Sequence, residues 1–320
     1  MSFAAITRAR ASALLFGGVA LCAGASPGRA QTSATIHLAT IPTENAAGPF
    51  YAKDMGFFVK AGLDVDIQSL PSAAAIAAAV SSGAIDIGYC AVDVLASIHQ
   101  KNIPLVALSP GGEYLSTENF RIAAVVVPAT STAKLAKDLN GKVIASNGLH
   151  SFGEEAARVW IDTNGGDSST VKWVELPFPS MPAALDTGRV DAAFITEPFL
   201  TVATKNARVL GYGYDGISKH FLIGTWVATP QWASAHADLV KRFQTVMHDT
   251  AVWANANQAK TGEILAKDLK FDPALVSTMV RSRYSEQLTP ALVQPLIDIS
   301  AKFNAFKTFP SQDLIYTSPH

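Results

Sequence analysis

The chain has 320 residues, 49% of them hydrophobic and 16% charged, which is apolar material for more than one core at roughly 100 to 200 residues per domain. Its 25 basic and 26 acidic residues leave a formal net charge of −1, so no sustained field attracts phosphate backbones or anionic lipid. Nucleic acid is therefore not an expected partner, and any charged ligand must be met by local groups.

Arg8 and Arg10 precede an apolar run over residues 11–23, and small residues follow with candidate cleavage points at Ala23-Gly24-Ala25 and Gly28-Arg29-Ala30. This is the pattern of a signal peptide over residues 1–30. The run is shorter than the ~20 residues that span a bilayer, and no later run is long enough, so a soluble, exported, periplasmic mature protein is expected. Cys22 would be removed with the leader; lipidation there is disfavoured because Leu21 stands where a small residue is wanted. Cleavage leaves Cys90 alone, without an internal disulfide, and it reads as a small buried hydrophobe.

In the mature chain, residues 35–40 read as a strand, 46–55 as a helix closed by Gly56, and 64–70 as a second strand, together a βαβ unit. Ser72 is a good N-cap for the alanine-rich helix 73–80; residues 84–89 return as a buried strand, 93–100 form a helix and 103–108 a strand. Residues 121–127 are apolar and β-branched, 135–139 give a short helix stopped by Asn140-Gly141, and the alternation restarts. A strand at 142–145, a helix at 152–162, a strand at 171–176, a helix at 181–186 and a strand at 190–195 follow in order. Gly83-Ala84-Ile85-Asp86 and Gly188-Arg189-Val190-Asp191 echo one another, a helix-ending glycine before a strand whose second position is Asp. One topology looks to be used twice.

Residues 221–229 read as a further strand, and helices are expected at 237–257, 261–269, 273–281 and 290–303. The expected fold is α/β with two lobes joined by a two-segment hinge. Lobe one takes residues 31–120 and 223–320, with the C-terminal helices packed on it, and lobe two takes 121–222.

Four strings carry a resemblance. Gly56-Phe57-Phe58-Val59-Lys60-Ala61-Gly62-Leu63, residues 79–88 ending Gly83-Ala84-Ile85-Asp86-Ile87-Gly88, Asp138-Leu139-Asn140-Gly141-Lys142-Val143, and residues 185–199 ending Glu197-Pro198-Phe199 occur in this order. The chain resembles the family of nitrate, sulfonate, taurine and thiamine-pyrimidine (NMT1/THI5-like) receptors that serve ABC importers. That resemblance implies a periplasmic binding protein type II-like fold, a small-molecule ligand in the interlobe cleft, permease and ATPase subunits in the inner membrane as partners, and a monomer without cofactor or metal. It also implies Glu197 as the family's acidic position.

In open α/β sheets ligands sit outside the carboxyl ends of the strands, near helix N-termini. The candidate contacts in lobe one are therefore Thr43, Glu44 and Asn45 after the first strand, Ser72, and Tyr89 and Asp93 about the third. Asp93 is equally explained as a cap of the helix it opens, and Ser72 is a cap first. In lobe two the loop at 146–151 offers Asn147, His150 and Ser151, although Ser151 with Glu154 is also a capping box. Phe178, Glu197 and the hinge-strand Trp226 complete the set, with a core position the alternative for Trp226.

Helix N-termini and the 146–151 loop favour a small organic anion such as a sulfonate, nitrate or carboxylate, weakened by the lack of an Arg in these loops. Tyr89, Phe178, Trp226 and Glu197 favour an aromatic or pyrimidine-like ligand instead. An enzyme is not expected: His150-Ser151 lacks the Gly-x-Ser-x-Gly elbow, the seven histidines show no i, i+4 helical pair, and Gly211-Tyr212-Gly213 is too brief for a dinucleotide loop. A secreted ligand-sensing domain would share the fold and pocket.

Overall fold

The computed structural model describes residues 35–317 apart from His150 and Ala305. The expected signal peptide and Cys22 lie outside the described residues, as does the candidate His150.

The chain opens with β1 (Thr35–Thr40), a single 3-10 turn at Glu44–Ala46, α1 (Gly48–Asp54) and the short α2 (Phe57–Lys60). Gly56 separates the two helices at φ 70°, a left-handed conformation open to glycine, so the Gly-Phe-Phe string both stops one helix and starts the next. β2 (Asp64–Ser69), α3 (Ala73–Ser81), β3 (Ile87–Ala91), α4 (Val92–Gln100) and β4 (Val106–Pro110) follow. β1 pairs in parallel with both β2 and β3, as a repeated βαβ crossover requires.

β5 (Gly112–Leu115) then leads away to a second sheet, built from β6 (Ala123–Pro128), β7 (Val143–Ser146), α5 (Phe152–Thr163), β8 (Lys172–Glu175), α6 (Met181–Asp186), β9 (Ala192–Thr196), α7 (Phe199–Ala203) and β10 (Ala207–Gly211). Its strand order is β10-β6-β9-β7-β8, with β7 parallel to both β8 and β9. β11 (His220–Leu222) returns antiparallel to β5, Leu115 opposite His220, so the two connections between the sheets lie side by side. β12 (Gly224–Ala228) inserts between β3 and β4, antiparallel to both, and completes the first sheet as β2-β1-β3-β12-β4.

The remainder is α8 (Pro230–Ala235), α9 (Ala237–Ala256), α10 (Gln258–Asp268), α11 (Pro273–Val276), β13 (Arg283–Tyr284) and α12 (Pro290–Asn304). β13 joins β5 to close a three-stranded sheet, β11-β5-β13, over the crossing. Around it Tyr114, Tyr214, Phe152 and Phe221 pack ring against ring, with Tyr114 and Tyr214 centroids 5.2 Å apart and Phe152 and Tyr214 4.8 Å apart.

The architecture is the expected one, two α/β lobes joined by paired crossings, with local differences. The strand expected at 221–229 is broken at Ile223 and serves two sheets. The helix expected at 273–281 stops at Val276, because Arg281 turns inward to an ion pair and Arg283–Tyr284 hydrogen-bonds to β5. α12 does not rest on lobe one alone: it packs on β11 and α4 and also meets α5, with Ser300 Oγ 3.3 Å from Glu155 Oε2.

The internal echo is structural. Gly83 and Gly188 both take left-handed φ, at 76° and 67°. Asp86 then accepts from the His37 N–H and Asp191 from the Val143 N–H, each at 2.8 Å, so the same carboxylate fastens the same parallel strand pair in either lobe. Cys90 is fully buried in the core, where burial pushes its thiol up and out of reach of ionisation.

Candidate ligand-binding site

A cavity of about 350 Å³ lies between the carboxyl ends of the strands of the two sheets. One wall comes from the loop after β1 (Ile41, Thr43, Glu44, Asn45) and the start of α4 (Ala91, Asp93, Val94), with Phe271, Met279 and Ser282 from the C-terminal segment. The facing wall comes from the loop after β7 and the start of α5 (Asn147, Ser151, Phe152, Gly153), with Phe178, Phe194 and the Thr196-Glu197-Pro198 corner. Ile122 and Ile223, on the two crossings, and Tyr214 close it off.

Eight of the sequence candidates meet here: Thr43, Glu44, Asn45, Asp93, Asn147, Ser151, Phe178 and Glu197. Three do not. Ser72 accepts from the Ala75 N–H at 3.2 Å as the N-cap of α3 and stays on the surface. Tyr89 and Trp226 are both 1% exposed and pack edge to face at 5.4 Å inside the first lobe. Their strands are covered on both faces, so neither side chain turns to the cleft. Tyr89 reaches the cavity wall through Asn45, whose Nδ2 donates to its hydroxyl at 3.2 Å.

Ser151 caps α5, accepting from the Glu154 N–H at 3.4 Å, while Glu154 pairs with Arg158 at 2.7 Å. The helix is thereby started and its first turn supplied with negative charge. Asp93 is not the cap of α4; Ala91 holds that place and Asp93 sits in the first turn.

The carboxylates differ in what they meet. Glu44 is buried and paired with Arg281, Nε to Oε1 2.6 Å, and its other oxygen accepts from the Ser282 N–H at 3.0 Å. Burial raises its pKa and the Arg281 charge opposes the rise. Glu197 accepts from the Thr201 hydroxyl at 2.9 Å and N–H at 3.1 Å, and from the Val280 N–H at 3.1 Å across the cleft. Burial raises its pKa too, against those hydrogen bonds. Asp93 is raised by burial with only backbone N–H groups in opposition, and its Oδ1 has no partner among the described residues.

A pH dependence follows with a definite sign. A carboxyl whose folded pKa is raised holds its proton longer in the folded state, so its contribution is whole below the unfolded value and lost as pH climbs through the folded one. In urea unfolding, the stability of the wild type relative to Asp93→Asn is expected to fall as pH rises from below 3.8, the ordinary Asp value, toward neutrality. A difference that stays constant over that range would mean the carboxylate has found a partner.

The sequence reading missed Arg281, Met279, Phe271, Ile122, Phe194 and Tyr214. Arg281 is the consequential one, since no local motif marks a cation that reaches back 237 positions to Glu44. Among the described residues no cluster of three or more His, Cys, Asp or Glu could hold a metal, and no helix is long and apolar enough to cross a membrane.

A protein-family model described as NMT1/THI5 like matches residues 43–261. The taurine-binding periplasmic protein of Escherichia coli K12 is 27% identical over 197 residues, 59% of this chain; the match spans 57% of that protein's length. The periplasmic aliphatic sulphonate binding protein SsuA of E. coli superposes with a TM-score of 0.74 at 16% identity, over 89% of this chain and 93% of that one. The alkanesulfonate-binding protein SsuA from Xanthomonas axonopodis pv. citri bound to MOPS superposes with a TM-score of 0.69 at 18% identity, over 88% and 98%. These likenesses establish the fold, and since the family model spans more than half of its residues, the chain belongs to the NMT1/THI5 like family.

Proposed function

We propose that this chain is the extracytoplasmic ligand-capturing subunit of an ABC importer, a receptor that closes over a small organic molecule and performs no chemistry on it. Residues 31–120 and 223–320 would form one lobe and 121–222 the other, moving about β5 and β11. The observation that carries the reading is the cavity itself, which neither lobe forms alone. Its volume suits a small molecule. Contacts from both walls favour the closed form, because a ligand that touches both stabilises closure by its differential affinity for it.

Family membership and the binding proteins named above support transport over sensing, with permease and ATPase subunits as partners. The apparent leader supports a periplasmic location, and mass spectrometry of the exported protein is expected to find its N-terminus between Ser26 and Thr32. The bridge from Glu197 to Val280 supports Glu197 as a closing contact, since it joins the lobes only when they are together.

The test is a melting screen of the mature protein against sulfonates, nitrate, aromatic acids and amines, and aminopyrimidines, followed by small-angle scattering with any hit. A specific ligand at 100 times its Kd adds roughly 2.7 kcal/mol, and a smaller radius of gyration is expected with it. Turnover of the hit, or binding that leaves the scattering of an open form unchanged, would sink the receptor reading.

A further inference from the structure

Helices α4 and α5 both begin at the cavity wall, and helix starts ordinarily attract anions. Here the attraction is spent within the protein. α5 carries Glu154 and Glu155 in its first turn, both buried, and α4 carries Asp93 in its own. No Lys or Arg stands among the described residues of the wall. Glu44 is already matched by Arg281, and Glu197 already receives hydrogen bonds from Thr201 and Val280.

Asp93 is the exception. Its Oδ1 is shut off from solvent and receives no hydrogen bond from any described residue. A carboxylate with one oxygen shut off from water and unbonded is costly until a donor reaches that oxygen, and an N–H bearing positive charge makes the strongest available bond to it. Asp93 also borders a groove of about 700 Å³ between α3 and α4, but there Lys101 and Glu155 offset one another, whereas the cavity sets no Lys or Arg against a cation among its described residues.

We propose that the cavity is built for a ligand bearing an ammonium group, with Asp93 as its counter-ion. The rest of the ligand is a compact organic body lying against Phe152, Phe178 and Phe194. The ammonium is the shared chemistry; it can be carried by an aryl-alkyl amine or by an amino-sulfonate, and the two make separate demands on the far wall. This rests on the receptor reading and narrows it.

The test is calorimetric titration of the mature protein with four probes: benzylamine, benzyl alcohol, taurine and ethanesulfonate. Benzylamine or taurine is expected to bind, with its ammonium-free counterpart weaker by roughly 30-fold or more, the loss typical of an unpaired buried charge. Binding by benzylamine alone identifies the apolar wall as the second determinant, and by taurine alone the polar side of Asn147 and Ser151. Asp93→Asn is expected to remove the discrimination within each pair while melting no lower than the wild type without ligand. A merely structural Asp93 would shift the melt and leave the discrimination intact, which overturns the proposal. Ethanesulfonate or benzyl alcohol binding as tightly as its amine also overturns it and leaves the receptor reading standing. If none of the four binds but an ammonium-free compound of the wider screen does, the proposal alone falls. If no compound of either set binds, both fall.

Discussion

Arg281→Met is expected to lower the unfolding free energy by about 3 to 5 kcal/mol, the cost of leaving a buried charge without its partner. Glu44 is only 7% exposed and would keep its carboxylate in the interior against the Ser282 N–H alone. Arg281 also donates to the Gln258 carbonyl at 2.8 Å and to Thr261 Oγ1 at 3.0 Å, so one guanidinium ties the start of α10 to the loop after β1. Tyr284 adds a hydrogen bond to the Glu44 carbonyl on the same side. The double variant Glu44→Gln, Arg281→Met removes both charges and is expected to recover a large part of the loss, because the penalty belongs to the unpaired ion and not to the missing pair. Urea unfolding of the two single variants and the double one measures this. A loss under about 1 kcal/mol for Arg281→Met would show that the pair is solvated in the manner of a surface bridge. Since Thr43 and Asn45 flank Glu44 on the cavity wall, ligand affinity is expected to fall with the same variant.

How far the sequence reveals such features depends on how local their cause is. Ser72 and Ser151 are legible as caps because a cap is decided within four residues. The Gly83 and Gly188 stops, each with an Asp shortly after, are legible for the same reason, though what those aspartates fasten is seen only once the parallel strands are in place. The loops that form the cavity are legible because strand-to-helix turns in α/β lobes all open on one side. Arg281 belongs to another class. Residues 273–281 have helical composition, and the ion pair that pulls Arg281 out of any helix is supplied by a residue at the other end of the chain. β13, two residues long, exists only because β5 offers it an edge. Glu44 lines the cavity, but its carboxylate is largely committed to Arg281 and Ser282, and Asp93 carries the unfilled oxygen.

Tyr89 and Trp226 show where the pattern itself gives out, and Trp226 supplies the second large prediction. On a sheet with one wet face, alternation says which side chain points inward; β12 is buried at all five positions and β3 at four of five, so alternation is silent. An aromatic residue next to a cleft loop then reads equally as wall or as core. The surroundings decide it: Trp226 lies edge to face with Tyr89 at 5.4 Å and with Phe243 at 6.4 Å, on the strand that holds β3 to β4. Trp226→Ala should therefore cost about 3 to 5 kcal/mol in the absence of any ligand. Trp226→Phe should cost much less, about 1.5 kcal/mol or below, since the indole Nε1 has no hydrogen-bond partner among the described residues and its removal leaves nothing unsatisfied. The ordering Ala, then Phe, then wild type in unliganded melting temperature, with ligand affinity of the Phe variant close to wild type, is the signature of a core residue. An unliganded melt unmoved by Trp226→Ala, with affinity lost in its place, would return Trp226 to the cavity wall and require the first sheet to be opened on that face.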